Sequence, residues 1–521
     1  MNKNNHDNKL DVQKNLDTLL DILKSIEHLE HTIHVLNFDM ETICPKEGMD
    51  DMVRDITIYQ GKIFEAMKSE EYLSAVKALY PERESLTPYQ SRLVTLLFRD
   101  IQKNENITPE FNNEIQVLFN SAYAEWIEAK EKGDYALFKD KLEQIQITEK
   151  KIVALRDDKK QTAYDSLLDD YEPGITTADL DPFFDEIEKG IVPLIKAIRS
   201  SSYQPRHDFL TRKVPLAKQE AFSRFLLEFN GFDFKRGCLT TTEHPFTDQF
   251  SYHDVRVTTH YYEDNFVSNM YSVIHEGGHA LFGQNVPEEV FTSHLGESCL
   301  SMAKHESVSR FYETVIGRSR AYIHAIYPTF HKIFEEELGD ISEEELYEGV
   351  NYIDLNNTIR TEADELTYPL HIIIRYRLEK MMMDGTVDFT TLNKTWDSLY
   401  EEMLGVKGKN DSQGILQDVH WTSGFGYFPT YTLGSALNCI YKEVVDHALG
   451  SLDQAVSEGR MDLVLESLRR DVFAKAPLLD TKEWIKEISG KELSSKHYIE
   501  YLQKKFKEIY HLKDEDIKER N

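Results

Sequence analysis

The chain is 521 residues long, 40% hydrophobic and 29% charged, with a formal net charge of −31. That charge repels phosphate backbones and anionic headgroups, so nucleic acid and membrane surfaces are excluded as partners. Only 15 prolines and 24 glycines punctuate this length, too few for an all-β fold with frequent tight turns, and a mostly α chain is expected.

The first stretch, MNKNNHDNKLDV, is polar and carries no apolar core of a secretory signal. No apolar run approaches the roughly 20 residues that span a bilayer. Cys44, Cys238, Cys299 and Cys439 are far apart and form no CxxC pair, which suits a reducing compartment, so a cytoplasmic location is expected. Residues 1–10 read as a flexible tail and 11–515 as one domain. Val12, Leu16, Leu19, Leu23, Ile26 and Ile33 recur at helical spacing, predicting a long amphipathic helix that stops before Pro45 and Gly48. Helical patterning returns in FNNEIQVLFNSAYAEWIEAKEK and LDPFFDEIEKGIVPLIKAIRS. In YHDVRVTTHYY, Val255, Val257 and Thr259 alternate with Arg256 and Thr258, predicting a strand from Tyr252 to about Tyr262.

The next helix contains SVIHEGGHALFG, from Ser272 to Gly283. Four residues apart on a helix, His275 and His279 share a face and can reach one ion. Glu276 lies about 100° round, where it can address a water on that ion without ligating it. Zinc brings its water's pKa to near 7 and the carboxylate completes the deprotonation, a combination suited to peptide hydrolysis. On the same wheel Gly277 falls on the back of the helix, giving clearance for a packed neighbour. Gly278 flanks the metal opposite Glu276, giving clearance for substrate or another ligand. A third protein ligand is needed. Glu288 and Glu289 follow Pro287 in a predicted loop, whereas Glu297 and Glu306 both stand at workable distances. Arg310, four residues after Glu306, offers that glutamate an ion pair instead.

Six stretches together resemble the thermostable carboxypeptidase Taq family of zinc metallocarboxypeptidases. In order they are HPF at His244–Phe246, DVRVT at Asp254–Thr258, HEGGH at His275–His279, HES at His305–Ser307, IRTEAD at Ile359–Asp364, and GILQDVHW at Gly414–Trp421. The resemblance implies Glu306 as third ligand and Glu276 as general base. It also implies a nearly all-helical domain of two lobes around a deep groove, with a metal-site core over about 240–435 and a small hairpin or sheet beside the HEGGH helix. A homodimer, and removal of single C-terminal residues with broad side-chain tolerance, are implied as well. Three positions depart from the family pattern: Val308 after HES, His260 after the strand motif, and Phe38 near the start.

A carboxypeptidase must bind a free α-carboxylate, which a guanidinium does through paired hydrogen bonds. The resemblance places Arg360 beside the site for that task, while Asp364 at i+4 offers it a structural ion pair. Asp364 and Glu365 are alternatively expected to orient a ligand histidine. His420, Tyr427 and Tyr431 are candidate donors to the developing oxyanion, and His244 is a candidate substrate contact. Arg256 and Thr258 are expected on a strand edging the groove, where an extended peptide could add, or in a fold-stabilising hairpin. The expected function is a Zn2+-dependent metallocarboxypeptidase, with Co2+ or Mn2+ as alternative ions, acting on peptides. The rivals are a helical metallo-endo-oligopeptidase and a non-catalytic, metal-containing peptide-binding protein.

Overall fold

In the computed structural model, which describes residues 2–517, the helical patterning becomes twenty-two α-helices around one three-stranded sheet. Ten elements and one π-helical turn frame the site. Helix α1 spans Asn2–Thr42 and ends before Pro45, so the tail expected over 1–10 is helical from Asn2 onward. Helix α2 (Pro88–Asn104) starts at a capping box, in which Thr87 and Gln90 satisfy each other's backbone N–H and Pro88 fixes the first turn. Helix α3 (Leu216–Asn230) ends at Gly231 in the left-handed conformation.

The sheet follows: β1 (Gly237–Thr241), β2 (Thr247–Ser251) and β3 (Asp254–Thr259), in the order β1-β3-β2. The predicted strand is β3, but it is the central strand, parallel to β1 and antiparallel to β2. It therefore has no free edge for a peptide to join, and Arg256 and Thr258 lie in its hairpin with β2. Thr258 Oγ1 donates to the Phe246 carbonyl (2.9 Å), and Arg256 pairs with Asp254 (2.7 Å) while stacking over Phe250 (4.1 Å). β1 and β2 were not legible in advance, because GCLTT and TDQFS are short and weakly alternating.

Helix α4 (Phe266–Asn285) carries HEGGH. Asn265 caps its start by accepting from Ser268 N–H, and Pro287 lies beyond its end. Its apolar residues are buried on nearly every side, as expected of a helix with no solvated face. Helix α5 (Met302–Arg310) passes into the π-helical turn Phe311–Ile316. Helices α6 (Tyr368–Asp384) and α7 (Pro429–Leu449) complete the surround, each with a proline in its first turn. One continuous apolar cluster runs from Leu16 to Tyr510 and holds these elements together. Among the described residues, no helix is long and apolar enough to cross a membrane. Phe38 packs edge-on against Phe246 and Phe250, so that departure is a packing change where α1 meets β2.

Candidate active site

A cavity of about 450 Å3 opens beside α4, lined by His275, Glu276, His279, Glu306, Tyr427 and Tyr431, with Pro245 to Thr247 along one wall. Helix α4 supplies both histidines from one face, and α5 brings Glu306 against them. Glu306 Oε2 lies 3.5 Å from His275 Nε2 and 3.7 Å from His279 Nε2. Ligand atoms bound to zinc at about 2.0–2.1 Å in a tetrahedron stand roughly 3.3–3.5 Å apart, so these three donors fit one ion and leave a position open. Among the described residues they form the one group of three or more His, Cys, Asp or Glu side chains so placed. The geometry favours Glu306 over its rivals. Arg310 pairs with Glu313 (2.7 Å) rather than with Glu306.

Glu276 takes a hydrogen bond from Thr247 Oγ1 (2.7 Å). Burial raises its pKa, with His275 and Thr247 opposing. A carboxyl so poised holds a proton more readily than a solvated one, which suits a group that must take a proton and return it.

Glu313 was not foreseen. From the π-helical turn its Oε2 accepts from His275 Nδ1 (2.8 Å) and from Arg310 Nη1 (2.7 Å). Metal-ligating histidines generally donate their second N–H to such a partner. Asp364 and Glu365 do not have this role. Asp364 accepts from Thr367 and the Leu366 N–H, and Glu365 pairs with Lys505. Burial opposes ionisation of Glu313, but Arg310, His275 and Arg318 hold it well below the usual carboxylate range. Burial alone would discharge His275, yet Glu306 and Glu313 push it up to about 9. A sequence signal for Glu313 did exist: it is seven residues beyond Glu306, two helical turns along the same face.

The glycine pair also finds its neighbours. A Cβ on Gly277 would lie 2.7 Å from Leu227 Cδ2 of α3, the packed neighbour expected on the back of the helix. A Cβ on Gly278 would lie 2.7 Å from Ser309 Cα and 3.1 Å from the Val308 carbonyl. The second clearance thus admits the backbone of α5, the helix that bears Glu306, rather than substrate.

Tyr427 and Tyr431 line the cavity at the start of α7, and Tyr431 Oη lies 3.3 Å from His420 Nε2. Burial pushes His420 down to about 4, so the ring is neutral at pH 7. Behind them Arg360 is buried, not against Asp364 but against Asp418, with Nε 2.8 Å from Oδ1. Arg375 of α6 grips the other carboxylate oxygen at 2.6 Å. Two guanidiniums share one carboxylate, leaving one surplus positive charge beside Tyr431. His244 is exposed, while its neighbours Pro245 and Phe246 line the cavity.

A helical shell around a two-histidine, one-glutamate site with an adjacent carboxylate defines a metal-dependent peptide hydrolase. The profile of the carboxypeptidase Taq (M32) metallopeptidases matches residues 18–506. Carboxypeptidase 1 of Bacillus subtilis is 34% identical over 94% of this chain and 97% of its own length. Thermostable carboxypeptidase 1 of Thermus thermophilus is 30% identical over 94% and 98%. The crystal structure of the M32 carboxypeptidase from Deinococcus radiodurans superposes with a TM-score of 0.91 at 30% identity, covering 96% of this chain and all of that one. The chain belongs to the carboxypeptidase Taq family and is a metallocarboxypeptidase.

Proposed function

We propose that the enzyme is zinc-dependent and removes single C-terminal residues from peptides with broad tolerance, using Glu276 as general base. The supporting observation is that the His275–His279–Glu306 donors, the Thr247-held carboxylate of Glu276 and the two cavity tyrosines meet in one space. Zinc held by the three donors would polarise the scissile carbonyl and acidify the attacking water. Glu276 takes the proton of that water and delivers it to the departing amine. Burial keeps the Tyr431 phenol protonated, and its hydroxyl donates to the carbonyl oxygen as negative charge develops, with His420 behind it as hydrogen-bond partner. Arg360 draws the terminal carboxylate toward the surplus positive charge, which sets cleavage one residue inward. The pocket walls at Pro245 and Phe246 offer apolar surface and backbone without charged side chains, consistent with wide tolerance. The single domain, the cytoplasmic location and the homodimer belong to this same reading.

Metal analysis of purified protein should return about one zinc per chain. Mass spectrometry of a digested peptide should show a ladder shortened from the C-terminus, and a C-terminal amide should block it. Glu276→Gln should keep the metal and lose at least about 10²–10⁴-fold in kcat. Internal cleavage of the amidated peptide would establish the endo-oligopeptidase instead, and unchanged turnover in Glu276→Gln would sink the mechanism.

A further inference from the structure

The IRTEAD stretch supplies more than Arg360. Asp364, which neither pairs with Arg360 nor orients a ligand histidine, holds the turn that enters α6. Its carboxylate accepts from the Leu366 and Thr367 N–H groups (2.9 Å each) and from Thr367 Oγ1 (2.8 Å), and its carbonyl accepts from the Tyr368 N–H (3.0 Å). Pro369 follows in the first turn of the helix. Tyr368 therefore starts α6 at a fixed place, and Arg375 stands seven residues on, two turns along the same face. That face meets Arg360 through Tyr368 and Asp418 through Arg375.

Tyr368 touches both charged corners of the site. Its hydroxyl accepts from Arg360 Nη1 (3.2 Å), and the Arg310 guanidinium lies over its ring, 5.2 Å from the centroid. Tyr431 meets the same ring in a T-shaped contact, with centroids 6.2 Å apart. Held between a guanidinium and a second aromatic ring, the phenol keeps its hydroxyl in one position. Burial pushes that phenol up to about 12, against the fields of Arg360 and Arg310, so it keeps its proton. Among the described residues nothing accepts that proton.

Arg360 is open in the same way. A guanidinium has five N–H groups. Asp418 Oδ1 takes one from Nε and one from Nη2 (2.8 Å each), and Tyr368 takes one from Nη1. One N–H on each terminal nitrogen is left over, next to the Tyr368 hydroxyl. Three donors without acceptors thus stand together beside Tyr431. Only the nitrogen and Cα of the last residue separate a scissile carbonyl from a C-terminal carboxylate, so neighbouring groups must bind the two, as Tyr431 and this cluster are placed to do.

We propose that Tyr368 is a carboxylate-binding residue: its O–H donates to the substrate's C-terminal carboxylate beside the two free N–H groups of Arg360. The inference rests on the carboxypeptidase reading, with Arg360 as anchor, and adds a specificity-determining residue to it. A C-terminal carboxamide turns an NH2, itself a donor, toward one of these three donors, and the site refuses it.

The test uses a peptide whose last bond is reduced to a methylene-amine and cannot be hydrolysed, offered as the free acid and as the carboxamide. Ki is read against a substrate that is turned over. The wild-type enzyme should bind the acid at least about 10²-fold more tightly. Tyr368→Phe keeps the ring against Arg310 and Tyr431, so fold and metal content should hold. It should weaken the acid about tenfold or more and shift the carboxamide less than about twofold. Added to Arg360→Met, it should cost the acid about threefold or more beyond Arg360→Met alone, because a hydroxyl that touches the carboxylate does not act only through the guanidinium. Equal shifts of acid and carboxamide in Tyr368→Phe, or an acid shift below about twofold, would overturn the proposal while Arg360 stood. So would the absence of any further loss in the double variant, which would make Tyr368 a positioning residue for Arg360. Equal wild-type affinity for acid and carboxamide, or an Arg360→Met enzyme that kept the preference, would instead overturn the underlying reading, and this inference with it.

Discussion

The metal corner and the arginine corner are both buried clusters of charge, and they are unbalanced in opposite directions. Around the three metal donors, with the histidines neutral as ligation to a metal requires, Glu276, Glu306 and Glu313 stand against Arg310 and Arg318, leaving a negative surplus that a divalent ion would more than neutralise. Around Asp418, two guanidiniums stand against one carboxylate, leaving a positive surplus. Burying an uncompensated charge is expensive, so each imbalance points to a ligand of the missing sign. The difference between the corners is thus chemical: one lacks positive charge and the other negative, as the proposed metal and the proposed substrate carboxylate would supply.

The sharpest way to break that contrast is to remove the surplus at the arginine corner. Arg360→Met leaves Asp418 still paired with Arg375, so the fold should hold. Peptides with a free C-terminus should lose about 10²–10³-fold in kcat/KM, corresponding to the roughly 2–5 kcal/mol of a buried charged contact. Asp418→Asn should do the reverse. It leaves two buried guanidiniums without a counter-charge and should cost about 3–5 kcal/mol of stability in a denaturant melt. An Arg360→Met enzyme that trimmed peptides at wild-type KM and kcat would remove Arg360 from carboxylate recognition.

At the metal corner the expected effect is smaller, because Glu313 acts through His275. Glu313→Gln keeps the shape but replaces the charged acceptor of the His275 Nδ1–H bond. Metal affinity, measured by competition with a chromogenic chelator, should weaken by about 10–100-fold, while secondary structure is retained. Unaltered affinity would reduce Glu313 to a structural partner of Arg310.

The two corners also differed in how far the sequence disclosed them. The metal corner was legible because its spacing is local: four residues on one helix fix two ligands and the base. Glu306 needed the family resemblance, since spacing alone left Glu297 open. Arg360 is singled out by the sequence, but its ion-pair partner is Asp418 and not the Asp364 that i+4 spacing offers as an alternative. The i+4 rule assumes a helix, whereas Arg360 stands in a single 3-10 turn, Arg360–Glu362, that lets the guanidinium reach Asp418 fifty-eight residues on. Glu313 escaped notice because periodicity does not say which glutamate of an acidic chain faces a histidine across a helix pair. The β3 edge was misjudged for a similar reason: one strand's alternation reveals its faces but not how many neighbours it has.

The smallest effects sharpen how the metal corner is kept in register. Alanine at either glycine of HEGGH gains about 1 kcal/mol of helix propensity. At Gly277 the new methyl meets the end of the Leu227 side chain, which can change rotamer, so Gly277→Ala should be close to neutral in stability. At Gly278 it meets Cα and carbonyl of α5, and a backbone cannot rotate away. The two helices must part by a few tenths of an ångström or more, at an overpacking cost of about 1–3 kcal/mol that exceeds the propensity gain. That displacement also draws Glu306 away from His275 and His279, so Gly278→Ala should release metal to a chelator faster than Gly277→Ala does. Thermal melts paired with chelator release measure both quantities on the same samples. If Gly277→Ala proved the more damaging of the two, the close approach of α5 would not be what holds the third ligand in place.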